Sequence, residues 1–311
     1  MPRKARGIAL VLLAAILWGL SGTVAQVLFR RYGFAPLFLV VVRLWGSGIL
    51  LALVLLARDR RSLRASARDL GRLALFGAFG FFLVQFSYFA AIARVGVAMA
   101  TFLQYLGPPM IAAWFLLREH RAPQRAESLA LALALLGTLF LVLGEGGIRL
   151  DALGVGFGLL SALSLAFYTV YPQDLIRRLG AFPTTAWGFL FGAVVATLPV
   201  PLWQDGIGRL TAGSLLLIAF VVVLGTLVPF ALYVYALTRL SPTAVGIAAT
   251  GEPLSAAVSA FLIFGQALAG VQYLGGALIL GAMATLAARG GRRAGGETEP
   301  TPVTAGGRPD V

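Results

Sequence analysis

Glu252 is the one acid deep inside a long apolar run of this 311-residue chain, in the stretch Gly251-Glu252-Pro253. A charge at the centre of a bilayer costs about 2.5–3.5 kcal/mol on insertion scales, so its retention points to a role. Removal from water favours the protonated acid, which makes Glu252 a proton-coupling candidate. A second reading stands beside it: a buried carboxylate paired with an arginine, or hydrogen-bonded to helix ends. Pro253 has no N–H and its ring disturbs a helix, freeing carbonyls one turn earlier. Ser255 and Ser259 follow on the same face, as a wet cavity wall requires. Arg43 is the one base inside an apolar run. Its guanidinium suits bidentate capture of a substrate carboxylate. It equally suits a structural role, snorkelling to the surface or fixing Glu252.

Uncharged polar and aromatic residues recur at helical spacing in several runs. Thr101, Gln104, Tyr105 and Pro108 share one face, and Pro109 adds a second break. Ser161, Ser164, Tyr168 and Tyr171 form another stripe, Gln85 and Tyr88 a third, and Thr226, Pro229 and Tyr233 a fourth. Trp18 joins the set from the first run. Interhelical hydrogen bonding accounts for any one of these residues; taken together they predict a central chamber, with Pro108, Pro109, Pro229 and Pro253 bending the helices around it. Tyr88 and Tyr233 are expected to flank that chamber symmetrically. Aromatic faces hold ammonium groups, so amino acids, amines and amphipathic drug-like solutes fit better than nucleotide-sugars, which want several basic residues.

The elements that carry these residues follow from composition. Hydrophobic residues make up 59% of the chain and charged ones 12%, with a mean hydropathy of +0.90. A soluble domain carries about 25% charged residues, so the chain reads as a polytopic membrane protein. The net charge of +13 sits between apolar runs, as membrane loops require, and argues against a nucleic-acid partner. Cysteine is absent, which removes disulfides and thiolate chemistry. A single lysine against 24 arginines hints at a GC-rich bacterial source. Ten runs satisfy the length of about 20 residues that a spanning helix needs: 7–29, 36–57, 70–93, 95–117, 126–144, 154–172, 183–203, 212–237, 242–264 and 269–288. The first is read as a retained span rather than a signal peptide. Placing both termini in the cytoplasm puts 19 of the 25 Lys+Arg residues inside and 5 outside, which agrees with the positive-inside rule. Residues 289–311 have the composition of a disordered cytoplasmic tail.

Arg-Arg-x-Gly-x-x-Pro occurs twice, from Arg30 to Pro36 and from Arg177 to Pro183. At the same offset Gly7, Leu12 and Ala15 match Gly154, Leu159 and Ala162. Two residues less in offset match Gly80, Tyr88, Ala91, Arg94 and Pro108 to Gly225, Tyr233, Ala236, Arg239 and Pro253. Spans one to five (7–144) are thus repeated as six to ten (154–288). An odd number of spans per copy makes the copies enter the membrane in opposite senses, the design of many secondary transporters. The fold class expected is all-α, ten transmembrane helices as two inverted five-helix repeats.

This layout, the Gly251-Glu252-Pro253 motif and the hairpin "FLLREHRAPQ", with Glu119 at its acidic position, resemble the EamA-type branch of the drug/metabolite transporter superfamily. The second half departs from the family hairpin, with Gln266 at that position. The resemblance implies export of small metabolites, often amino acids, from the bacterial inner membrane. The residues themselves favour a secondary transporter working by alternating access; a passive channel or an importer is the alternative. The lone histidine, His120, falls in a loop, and neither a metal-binding nor a nucleophile motif occurs, so no enzyme, metal or cofactor is expected. The partners expected are a small-molecule substrate, the lipid bilayer, protons and a second copy: Gly275, Gly276 and Gly281 offer a small-residue face for packing within the chain, for sliding or for a homodimer.

Overall fold

The computed structural model describes residues 3–95, 97–120, 122–143, 151–198, 207–265 and 269–292. Among them the regular elements are helical, with no strand. The first half runs α1 (Arg3–Tyr32), α2 (Pro36–Arg58) and α3 (Ala67–Leu75), then a π-helical segment, Phe76–Phe82, into α4 (Leu83–Val95), α5 (Val97–Gln104), α6 (Gly107–Glu119) and α7 (Arg125–Leu143). The second half runs α8 (Ala152–Val170), α9 (Gln173–Leu179), α10 (Ala181–Thr197) and α11 (Ala212–Val222). A second π-helical segment, Val223–Leu227, leads to α12 (Val228–Ala236), α13 (Pro242–Ala249), α14 (Gly251–Phe264) and α15 (Gly270–Arg292).

Eight continuous helical stretches are long and apolar enough to cross a membrane, and Ala181–Thr197 and Gly270–Leu286 are shorter apolar helices. The chain is a polytopic membrane protein. Leu117, Leu198, Leu216 and Leu262, each more than 70% exposed, show the face such a bundle turns to lipid. The stretch read as 183–203 is helical over Ala181–Thr197. The one read as 154–172 continues to Leu179 by bending at Tyr171-Pro172, because Pro172 cannot donate to the helix ladder. The last helix reaches Arg292; the rest of the tail, like Gln266, lies outside the described residues.

The internal repeat reaches down to single elements. α13 begins and ends 145 residues after α5. The two π-helical segments are equivalent at that same offset, with Gly80 and Gly225 inside them. In each, an N–H bonds five residues back: Leu83 to the Ala78 carbonyl, and Val228 to the Val223 carbonyl. Gly33 (φ 69°) and Gly180 (φ 90°) both turn the chain through the left-handed region after the first span of each half. That is the physical reason for the glycine in the repeated basic motif.

The halves are interleaved. α8 packs on α4, α5 and α6, whereas α1 packs on α11, α12, α13 and α14, so the first helix of each half lies against helices of the other. The π-segment glycines permit this. A Cβ at Gly225 would stand 2.0 Å from Ser21 Oγ on α1, and one at Gly80 would stand 3.5 Å from Tyr168 Cα on α8. Ser21 and Tyr168 are themselves 147 residues apart, the offset of the basic motif. α2 packs on α10 and α7 on α15. The latter pair meets backbone to backbone: a Cβ on Gly137 would lie 2.7 Å from the Gly275 carbonyl oxygen, and the reverse substitution 2.6 Å from that of Gly137. Gly275 and Gly276 therefore face α7 and Leu254 of the same chain, and Gly281 lies nearest Leu133, so this face packs within the chain.

Candidate functional site

Proline placement creates the site. Pro108 and Pro109 open α6 just after a break at Tyr105-Leu106, and Pro253 sits in the first turn of α14 after a break at Thr250. A proline has no N–H for the carbonyl four residues before it. Pro253 thereby leaves the Ala249 carbonyl without its usual donor, and the Tyr105 hydroxyl, at 3.1 Å, takes that place. The hydroxyl shares its single proton with Glu252 Oε2, at 2.7 Å the nearer of the two acceptors. The two helix breaks, one per half, are thus joined by a tyrosine that is 2% exposed and a half-buried carboxylate. Glu252 Oε1 has no hydrogen-bond donor among the described residues.

Pro229 acts alike on the Gly225 carbonyl, and there the donor is Arg43 Nη2 at 3.2 Å. Arg43 Nε also donates to Thr226 Oγ1 at 2.7 Å, while the Thr226 hydroxyl donates to the Val221 carbonyl and Ser47 to that of Val222. α2 therefore satisfies the polar groups that the second π-helical segment exposes. Of the two roles read for Arg43, the contacts are structural, but they run to the bulge and not to Glu252: no Arg43–Glu252 ion pair forms, and the two act on each other only through their longer-range field. The arginine partner envisaged for Glu252 is replaced by Tyr105, because Thr226 and Gly225 hold the guanidinium.

Aromatic rings fill the space between these polar groups. Tyr168 stacks on Tyr233 with centroids 5.1 Å apart, and Trp18 lies 5.5 Å from Tyr233 and 4.8 Å from Phe230. Phe76 and Phe81 close over Tyr168 at 5.9 and 5.3 Å. Tyr233 and Thr169 share a hydrogen bond of 2.8 Å. Gln104 Nε2 donates to Ser161 Oγ, and Ser161 donates on to the Val84 carbonyl. Among the described residues five buried polar side-chain atoms have no hydrogen-bond partner, and three belong to these helices: Trp18 Nε1, Gln85 Oε1 and the Tyr168 hydroxyl. Native interiors leave few such atoms, so each asks for a water or a ligand.

The structure thus links Trp18, Tyr168 and Tyr233 by ring contacts and Tyr105 to Glu252 by a hydrogen bond, with Tyr233 in electrostatic range of Tyr105; Gln85 bonds the Phe81 carbonyl, Gln104 bonds Ser161, and Ser164 is buried one turn before Tyr168. Ser255 and Tyr171 behave otherwise, and Tyr88 has partners of its own. Ser255 donates to the Ile16 carbonyl at 2.9 Å and serves the α1–α14 contact, where Thr23 and Ser259 also bond at 2.7 Å. Tyr171 leaves the cluster because α8 ends at Val170; it stacks on Phe167 at 4.4 Å with the Arg72 guanidinium 6.0 Å from its ring. Tyr88 bonds Thr101 at 2.7 Å and packs with Ala91, Val95, Leu103 and Phe157. Tyr88 and its repeat mate Tyr233 both act electrostatically on the Tyr105 hydroxyl, though Gly246 stands in the second half where Thr101 stands in the first.

Phe81, Thr169, Phe189 and Phe230 complete the lining and were not singled out from sequence; nothing distinguishes these phenylalanines from lipid-facing ones in a run of apolar residues. Also missed was an ion-pair cluster at one end of the bundle. Arg72 meets Asp174 at 2.6 Å, and Arg178 meets Asp69 at 2.7 Å and Asp174 at 3.2 Å. The spacing of Asp174, Arg177 and Arg178 on one helix was its only trace. Near this end lies a cavity of about 530 Å³ lined by Phe115, Glu119, Tyr171, Asp174, Arg177 and Ser241 among others. Across the membrane-spanning length from it, Arg94 and Asp151 pair at 3.4 Å.

Comparison with known proteins agrees with this architecture. A solved crystal structure superposes with a TM-score of 0.78 at 18% sequence identity, covering 93% of this chain and 98% of the other, a likeness of fold alone. The uncharacterized inner membrane transporter YicL of Salmonella typhimurium is 30% identical over 94% of this chain and 99% of its own. The threonine/homoserine exporter RhtA of the same species is 30% identical over 61% of this chain and 62% of its own. The description EamA-like transporter family matches twice, over residues 5–143 and 152–288, one match per half of the repeat seen in the elements. The chain belongs to the EamA-like transporter family.

Proposed function

We propose that this membrane transporter is a secondary carrier of ten spans, built as two inverted five-helix repeats, that moves a small metabolite outward by alternating access. The substrate class is an amino acid, an amine or an amphipathic drug-like solute. Both termini lie in the cytoplasm, and the chain resides in the bacterial inner membrane. Trp18, Gln85, Tyr105, Tyr168, Tyr233 and Glu252 line the chamber, Gln104 and Ser164 support it, and Glu252 is the group available for proton coupling.

The observation that carries this reading is the Tyr105–Glu252 bond between equivalent helix breaks. Helix breaks of this kind, placed where two repeats meet, are where carriers bind their cargo. The exchanged first helices support the inverted arrangement, since Gly80 on Tyr168 and Gly225 on Ser21 form the same contact twice with the halves interchanged. The bodies that rock past each other are then not the sequence halves but α1 with α11–α14 against α8 with α3–α6.

Purified protein in liposomes tests the proposal. A carrier gives saturable uptake accelerated by unlabelled solute on the far side. Flux that neither saturates nor shows exchange identifies a pore and refutes alternating access. Glu252→Gln is expected to abolish pH-driven accumulation while leaving exchange measurable; accumulation that survives the change removes Glu252 from the coupling.

A further inference from the structure

We propose that the cargo of this chamber is an organic amine without a carboxylate, its ammonium held by Glu252 Oε1 and its apolar body by the Trp18, Phe230 and Tyr233 rings. The proposal rests on the carrier reading above and narrows its substrate class.

Charge decides between an amine and an amino acid. A zwitterion needs an anionic and a cationic site, and only the anionic one is free. Glu252 Oε2 is bonded by Tyr105, while Oε1 accepts from no described residue and the residue is half-buried. Arg43 is the one base within the chamber helices away from their ends, and it is engaged twice, by Thr226 Oγ1 and by the Gly225 carbonyl. Turning its guanidinium to a carboxylate would strip the donor from a carbonyl that Pro229 has already deprived of its helical partner.

The unpartnered atoms point the same way. Gln85 Oε1 accepts only, and the Tyr168 hydroxyl accepts as well as donates; both side chains are at least nine-tenths buried. An ammonium carries N–H donors and no acceptor, which matches oxygens of this kind. Trp18 Nε1 is the single opposing donor. Its ring, beside Phe230 and Tyr233, offers the aromatic surface that attracts a cation and covers an apolar body.

The cavity at the ion-pair end suits the same solute. Its lining includes Glu119, Asp174 and Arg177; Asp174 is held by Arg72, Arg177 and Arg178, and Glu119 forms no ion pair among the described residues. Phe115 and Tyr171 add aromatic surface. At about 530 Å³ it has the size of a small-molecule site.

Phenethylamine and phenylalanine differ by the carboxylate and form the test pair. Proteoliposomes holding the wild-type chain are loaded with one and assayed for exchange with the labelled other, with equilibrium binding measured in detergent. The expected result is saturable phenethylamine exchange, with phenylalanine competing at least about 30-fold more weakly. Glu252→Gln is expected to weaken phenethylamine binding by a similar factor, and Glu252→Asp by less. Phenylalanine binding as tightly as the amine overturns the proposal, and so does unchanged amine affinity in Glu252→Gln. If Glu252→Gln fails to fold, the wild-type ratio alone decides. Exchange of phenylalanine or of neutral solutes without exchange of the amine overturns the amine assignment and leaves the carrier intact. Non-saturable leakage of both compounds overturns the carrier itself.

Discussion

The bond between Tyr105 and Glu252 lends itself to a double-mutant cycle. Tyr105→Phe removes the hydroxyl that reaches both Glu252 Oε2 at 2.7 Å and the Ala249 carbonyl at 3.1 Å. A hydrogen bond to a charged group is worth about 1.5–3 kcal/mol, and the Ala249 carbonyl loses its substitute donor as well, so the single change is expected to cost about 2–3 kcal/mol. Glu252→Gln alone costs less, about 1 kcal/mol, because the Tyr105 hydroxyl keeps Ala249 as acceptor and a neutral amide accepts in place of the carboxylate. With the tyrosine already gone, Glu252→Gln relieves an underpaired carboxylate and is neutral or stabilising. The cycle should therefore show a coupling of at least about 1 kcal/mol, read from reversible unfolding in mixed micelles of a mild detergent and dodecyl sulfate. Independent sites add within about 0.5 kcal/mol. Additivity inside that margin would refute the claim that this contact joins the two helix breaks.

Gly225→Ala drives a Cβ to 2.0 Å from Ser21 Oγ and is expected to destabilise by about 1–3 kcal/mol, whereas Gly22→Ala, which meets nothing within 4 Å, should be neutral or slightly stabilising; thermal unfolding in detergent separates them, and Ser21→Gly should rescue the first. Gly275→Val places side-chain atoms against the Gly137 carbonyl and the Leu141 backbone, which cannot yield, so loss of the monodisperse species on size-exclusion chromatography is expected. Asp69→Asn should cost more than Asp174→Asn, because the Asp69 side chain is 9% exposed against 42% and exposed pairs are worth at most about 1 kcal/mol; chemical unfolding of both variants gives the order. Arg43→Lys keeps the charge but cannot serve Thr226 and Gly225 with one fork, and transport should fall more than protein yield.

Sequence patterning reached the polytopic membrane class, the duplication and the proline breaks because each rests on a local rule. A membrane helix must be apolar over its length, a proline always withholds an N–H, and a glycine at φ 69° or 90° leaves its mark in a turn. The prolines even located the carbonyls that need outside donors. Which donors arrive is a tertiary matter: Arg43 travels to Gly225 and Tyr105 to Ala249, and no spacing in the chain encodes either pairing. The π-helical segments were equally hidden, since Phe-Gly-Ala-Phe-Gly-Phe-Phe reads as ordinary helix until Tyr168 is seen against Gly80. Tyr171 misled because helical periodicity was extended one residue past the point where Pro172 ends the helix.

The exchange of first helices has a consequence for how the chain is made. As translation proceeds, α1 leaves the ribosome long before α11–α14, the helices it rests on, exist. The N-terminal half alone holds an α4–α6 group with no α8 to cover it, and an α1 with nothing to embrace. Cutting the gene in the linker between residues 143 and 152 should therefore yield two fragments, neither of which resists proteolysis alone. Synthesised together, each supplies the strand of helix the other lacks, and the assembled pair should regain resistance as a single object.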